Sequence, residues 1–176
     1  DKELLSKNAE WETTIQPNKW IFEEGLPDNC PKITSTKFET VERELAKWTK
    51  GGKASAIQSS EWVTPQWLYF INLINDTLSQ RNMSELDGVF GFTKSGNSEI
   101  KAAWFEKVIP NNYEGLGSSV EDFLIEVGRR KFLTPIYKAL LKSEGGLPAA
   151  KTIYEKARPN YHTVSSESMD KLLGYK

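Results

Sequence analysis

Apolar positions recur at helical spacing along most of this chain. Phe38, Val41, Leu45 and Trp48 follow one another at intervals of three or four residues, and a pair of glycines ends the run. A stripe with this period is the buried face of an amphipathic helix. No segment alternates apolar and polar residues for long enough to indicate a strand. The pattern therefore predicts an all-α chain.

Seven further stretches show the same period, and each begins at a cap residue or a proline. Ser79 and Asn97 are typical N-caps, and Thr134-Pro135 has the pattern of an N-cap followed by proline at the first helical position. Ser35 or Thr36 is expected to cap the first of the long helices. Short connections favour antiparallel neighbours stacked in sequence order. We therefore predict an α-α superhelix of armadillo or HEAT type, with about eight or nine short helices.

Residues 1–33 have a different pattern. Prolines and glycines at 17, 25, 27 and 31 interrupt every regular period, yet the segment is rich in large apolar side chains. A free linker would be more polar. We expect 1–33 to be an irregular segment that lies against a surface partly outside this chain, and 34–176 to be the helical-repeat domain.

Charge and composition exclude two classes of partner. Lys and Arg total 23 and Asp and Glu total 24, which gives a net charge of −1. A dedicated nucleic-acid binder has a basic excess. Trp48, Trp67 and Trp104 fall on apolar helix faces, so we predict that they pack in the core and do not stack on bases. No apolar run approaches the roughly 20 residues of a membrane span. Neither nucleic acid nor a membrane is expected as a partner, and we expect a cytoplasmic location, with the periplasm left open.

Three cations stand together at the junction of two predicted helices, in the stretch Gly128–Phe132. In an extended backbone, Arg129 and Lys131 point to the same side. Arg offers two parallel donors to a carboxylate, and Lys adds a second charge. These two residues are therefore candidates for binding a small anionic group such as the carboxylate of a peptide. In the alternative interpretation, the cations stabilise the end of the preceding helix through its dipole.

The sequence predicts no catalytic residue and no metal ligand. His162 is the single histidine. A zinc site needs several ligands at defined spacing, so His162 is expected to be a loop or capping residue. The serines at 165, 166 and 168 are expected to serve helix capping. This chain alone is not expected to catalyse a reaction.

Two stretches of the sequence resemble a known family. The first is Asn97–Ile100 followed by Trp104, and the second is Gly128–Phe132 followed by Pro135 and Tyr137. Both are similar to the C-terminal domain of the leukotriene A4 hydrolase-type M1 zinc aminopeptidases. The helix that carries Tyr154 is similar too, and Trp20 followed by Gly25-Leu26-Pro27 resembles the segment that leads out of that family's catalytic part. The resemblance spans roughly residues 11–174 and is tightest at 97–137.

The resemblance implies a helical domain that walls the active-site cleft of a thermolysin-like zinc domain. It implies that Arg129 and Lys131 anchor the free carboxylate of a short peptide substrate, and it gives Arg130 no anchoring role. The zinc of the full-length parent is held elsewhere, because the two His and the Glu of the family's zinc motif are absent from this chain. Residues 1–33 would then be the linker from the missing catalytic domain, which would be this domain's intramolecular partner.

Two questions stay open on the sequence alone. The chain is either an excised C-terminal domain or one product of cleavage. The rival function is a free-standing helical-repeat scaffold that binds a protein partner through its concave face. The apolar yet irregular segment 1–33 speaks against that rival.

Overall fold

The computed structural model describes residues 7–31 and 36–175. Within these ranges the chain forms α-helices and short 3₁₀ turns and has no strand, which confirms the predicted all-α class. The helices are α1 (Ala9–Ile15), α2 (Pro17–Phe22), α3 (Lys37–Thr49), α4 (Thr64–Leu73), α5 (Gln80–Phe90), α6 (Ser98–Val108), α7 (Ser119–Glu126), α8 (Arg130–Lys142), α9 (Gly146–Ala157) and α10 (Thr163–Leu173).

The chain divides into two compact units, Asp1–Thr36 and Lys37–Lys176. The predicted boundary between 33 and 34 and the candidate cap Ser35 lie outside the described residues. Eight of the helices named above, α3 to α10, belong to the second unit, which agrees with the predicted number.

The first unit contains regular structure where the sequence predicted none. Helices α1 and α2 meet at Gln16, which adopts a left-handed φ of 51°. The Asn29 amide closes the unit by donating to the carbonyls of Thr14 at 3.1 Å and Ile15 at 2.8 Å. The prediction of an irregular segment is therefore wrong for these residues. The prolines were interpreted as helix breakers, but Pro17 occupies the first position of α2, where a helix needs no N–H.

The helices of the second unit pack against near neighbours in the chain. Helix α4 packs on α3 and on α6, and α6 packs on α8. Helix α8 also contacts α9 and α10, and α7 packs on α9. This packing is that of an all-α helical bundle, which agrees with the predicted all-α class.

Large aromatic side chains fill the core of the second unit. Trp104 is fully buried, and its indole N–H donates to Thr93 Oγ1 at 3.1 Å. Trp48 is buried as well, and Trp67 packs against the core. The three tryptophans therefore serve packing, as predicted. In the described part of the chain, no helix combines the length and the apolar character needed to cross a bilayer.

Helix ends were predicted best where a side chain caps them. Ser79 Oγ accepts from the N–H of Asn82 at 3.2 Å, and Asn97 Oδ1 accepts from the N–H of Glu99 at 2.9 Å. The start of α8 was predicted wrongly. The helix begins at Arg130, and Pro135 lies inside it. Proline costs the helix one hydrogen bond there, to the carbonyl of Lys131.

Candidate functional site

The link between α7 and α8 lies against the turn before α10 and is joined to α10 by one hydrogen bond. At Gly128, a Cβ would lie 3.4 Å from the Tyr161 ring and 3.5 Å from the Asn160 carbonyl oxygen. The carbonyl of Gly128 accepts from Ser165 Oγ at 3.0 Å. The chain therefore enters α8 from a defined position.

Arg129 is the last extended residue before α8, with φ −81° and ψ 116°. Its carbonyl accepts from the N–H groups of Phe132 at 2.9 Å and Leu133 at 3.2 Å, and thereby starts the helix. Lys131 is thus already helical. The prediction that an extended backbone aligns Arg129 and Lys131 is wrong.

The two predicted anchor residues nevertheless share a surface, because both lie beside the ring of Phe132. Arg129 Cζ is 5.8 Å from the ring centroid, and Lys131 Nζ is 5.5 Å from it. Both distances allow cation–π attraction. Phe132 is itself buried, whereas Arg129 and Lys131 are exposed. The Phe132 ring is therefore a fixed platform beside which both cations face solvent.

A carboxylate from another helix holds Lys131. Its ammonium donates to both Glu99 Oε1 and Glu99 Oε2 at 2.6 Å. Glu99 lies in the first turn of α6, where the Asn97 cap fixes the helix start and the helix dipole favours a negative charge. Lys131 lies in the first turn of α8, where the dipole opposes its positive charge. The pair therefore relieves an unfavourable charge at the start of α8.

Arg129 and Arg130 have no such partner. Both are exposed, and neither forms a hydrogen bond or ion pair with any residue that the structure describes. They donate to no carbonyl at the end of α7 in that part of the chain, so the interpretation as caps of the preceding helix has no hydrogen bond to support it. Considering the described residues alone, the site therefore contains one cation in an ion pair, Lys131, and two cations without an anionic partner, Arg129 and Arg130.

The sequence that forms this site has counterparts in known proteins. The family described as leukotriene A4 hydrolase, C-terminal, matches residues 62–173. The chain belongs to this family. The match includes both stretches on which the resemblance was based, and the predicted family is confirmed.

The relatives of this leukotriene A4 hydrolase C-terminal domain are aminopeptidases by name. Leucine aminopeptidase 2 of Neurospora crassa is 31% identical over 175 residues, which are 95% of this chain and 24% of that protein. Leucine aminopeptidase 2 of Yarrowia lipolytica is 29% identical, over 97% of this chain and 27% of that protein. Aminopeptidase B of Mus musculus is 24% identical, over 98% and 27%. The chain thus spans about a quarter of the length of these relatives.

Within the described residues of this family domain, no group of three or more His, Cys, Asp and Glu side chains could hold a metal ion. His162 caps α10, because its Nδ1 accepts from the N–H of Val164 at 3.3 Å, as predicted. The capping role predicted for the serines is wrong. Ser165, Ser166 and Ser168 donate to the backbone carbonyls of Gly128, Thr163 and Val164.

No role for Glu99 was predicted from the sequence, although Glu99 lies in one of the stretches that carry the resemblance. Its ion pair joins residues 32 positions apart, and it depends on the packing of α6 against α8. The only local signal was the acidic residue in the first turn after the Asn97 cap. That signal has a sufficient local explanation in the helix dipole.

Proposed function

We propose that this domain walls the active-site cleft of a zinc-dependent M1 aminopeptidase and anchors the free carboxylate of short peptide substrates through Arg129. The observation that carries the proposal is the exposed Arg129 guanidinium, which has no anionic partner among the described residues. The relatives' names, leucine aminopeptidase 2 and aminopeptidase B, support peptides as the substrate class.

The two cations have unequal roles in this proposal. Arg129 can present two parallel donors to a carboxylate. Lys131 has three N–H donors, and Glu99 already engages its ammonium through both carboxylate oxygens. Lys131 therefore supports the anchor and contributes less than Arg129. Arg130 has no part in it.

Anchoring one end of the peptide fixes the position of the other end. A substrate held by its carboxylate places its scissile bond at a set distance, and such positioning contributes to rate as well as to affinity. The zinc ion and the groups that cleave the bond belong, in this proposal, to the catalytic domain outside this chain. Zinc would supply activation of the attacking water there.

The test compares two substrates in the full-length enzyme. A tripeptide with a free C-terminal carboxylate and the same tripeptide amidated at that end are assayed with the wild type and with Arg129→Ala. We expect kcat/KM for the free acid to fall about 10- to 100-fold, the equivalent of one charge-assisted hydrogen bond. The amide should change little.

Arg130→Ala is the matched control, because it removes the same charge at the next position. It should leave the ratio of acid to amide unchanged. Equal losses on both substrates with Arg129→Ala would contradict the anchoring role. Lys131→Ala should lower the ratio by less than Arg129→Ala does.

A further inference from the structure

A second cationic surface lies between α8 and α10. It is an open groove of about 510 Å³. Arg130 and Lys138 line the α8 wall, and Lys171 lines the α10 wall. Met169, which is buried, and Leu172 form an apolar floor. We call this surface the α8/α10 groove.

The groove has an uncompensated positive charge. Arg130, Lys138 and Lys171 form no ion pair or side-chain hydrogen bond with the described residues. Helix α8 carries four cations and no carboxylate. On α10, Asp170 is engaged by Arg158 and Tyr154, and Glu167, one turn before Lys171, forms no ion pair with it in the described part of the chain.

The spacing of these charges favours a chain-like ligand over a small ion. Arg130 and Lys138 are separated by eight residues of helix, a rise of about 12 Å. One phosphate group is too small to contact both. An extended peptide covers the same distance in about four residues, and its alternate side chains can point into the groove. The apolar floor between the charges suits an aliphatic side chain.

We propose that the α8/α10 groove docks an acidic, extended segment of a partner protein, with carboxylates on Arg130, Lys138 and Lys171 and an aliphatic residue over Met169. Nucleic acid fits this groove less well. Bases bind to exposed aromatic faces, and the groove lining in the described chain has none. The proposal is independent of the Arg129 anchor.

The test uses a fluorescein-labelled peptide of alternating Glu and Leu, amidated at its C-terminus, with this chain and fluorescence anisotropy. The amide end prevents binding through a terminal carboxylate. We expect saturable binding that weakens as salt is added. The same peptide with Gln in place of Glu should bind at least about tenfold more weakly.

Charge-reversal variants test whether the peptide binds in the α8/α10 groove. Lys138→Glu combined with Lys171→Glu should raise Kd at least about tenfold. Lys50→Glu combined with Lys94→Glu makes the same charge change elsewhere, directly after α3 and in the 3₁₀ turn after α5. This control should alter Kd by less than about twofold. If the groove reversal unfolds the chain by circular dichroism, Lys138→Gln with Lys171→Gln replaces it, with a smaller increase of Kd in the same direction.

Four outcomes would overturn the proposal. They are no saturable binding, equal binding of the Gln peptide, equal losses in the groove and control variants, and complete displacement by a single-stranded RNA oligomer or by inorganic phosphate at the peptide's own concentration. None of these outcomes bears on Arg129, because the assay uses neither a free carboxylate terminus nor catalysis. Failure here and failure of the anchoring role are therefore distinguishable.

Discussion

Two polar clusters of the helical unit differ in how completely their charges are paired. The Asp170 carboxylate accepts from Tyr154 Oη at 2.7 Å and from Arg158 Nε and Nη2 at 3.0 Å each. Beside Phe132, Arg129 has no anionic partner in the described chain. A closed network stabilises the fold, whereas an open cation contributes little to stability and is available to a ligand.

The aromatic side chains around the Asp170 cluster pack against one another, whereas Arg129 is exposed. Tyr154 is fully buried, and its ring lies 5.9 Å from the Tyr137 ring and 5.3 Å from the Tyr175 ring. Tyr161 donates to the carbonyl of Leu124 at 2.6 Å, and burial raises its pKa to about 12, so it is neutral at pH 7. The tyrosine cluster is therefore buried and closed by hydrogen bonds, whereas Arg129 is exposed and has no anionic partner among the described residues.

The largest expected change in stability is at the closed cluster of Tyr154, Arg158 and Asp170. Tyr154→Ala removes a fully buried ring and leaves Asp170 without one donor, so the free energy of unfolding should fall by about 3–5 kcal/mol. Urea denaturation followed by circular dichroism measures it. Arg130→Ala, on the exposed side, should change the same quantity by less than about 0.5 kcal/mol. Similar losses of unfolding free energy in the two variants would contradict the claim that the tyrosine cluster contributes more to stability than the exposed cations.

Asp170→Asn should have an intermediate effect that depends on pH. Hydrogen bonds from Arg158 and then from Tyr154 lower the pKa of Asp170 below its usual value. Stability from this group is therefore present above the pKa of the unfolded chain, about 3.9, and is lost as pH falls through the lower folded pKa. At pH 7 the variant should lose about 1–2 kcal/mol.

The pH profile separates this cause from general acid unfolding. The difference in unfolding free energy between wild type and Asp170→Asn should be constant near pH 7 and should shrink below about pH 4. A difference that stays constant down to pH 2 would mean that the charge of Asp170 is unimportant. Stability measured at several pH values between 2 and 7 decides this.

A smaller change in stability than at Asp170 is expected for the ion pair between Glu99 and Lys131. Glu99→Gln breaks an exposed ion pair, which should cost less than about 1 kcal/mol. In the full-length enzyme, the same change leaves the Lys131 ammonium free for substrate, so the preference for free acid over amide should rise. A fall in that preference would show that Glu99 holds Lys131 in its binding position.

Local signals in the sequence predicted most of the helical unit. Ser79 and Asn97 marked helix starts because each side chain caps its own helix within a few residues. The N-terminus of α8 was missed for the opposite reason. Phe132 and Leu133 are buried, and this tertiary packing keeps the residues before Pro135 helical.

The candidate site was predictable only in part. The motif supplied Arg129 and Lys131, since they are close in sequence. The Glu99 partner and the shared Phe132 platform depend on how α6 packs against α8, which no local pattern encodes. The α8/α10 groove depends in the same way on a pairing of distant helices.

Pro135 has a consequence for the dynamics of the domain. Because it gives no N–H to the carbonyl of Lys131, the first turn of α8 is tied to the rest of the helix by one hydrogen bond fewer. Amides in that turn should therefore exchange with deuterium faster than those near Tyr137, through local opening. In the proposed anchoring role, this opening would let the Arg129 guanidinium shift toward a carboxylate while the buried part of α8 keeps its packing.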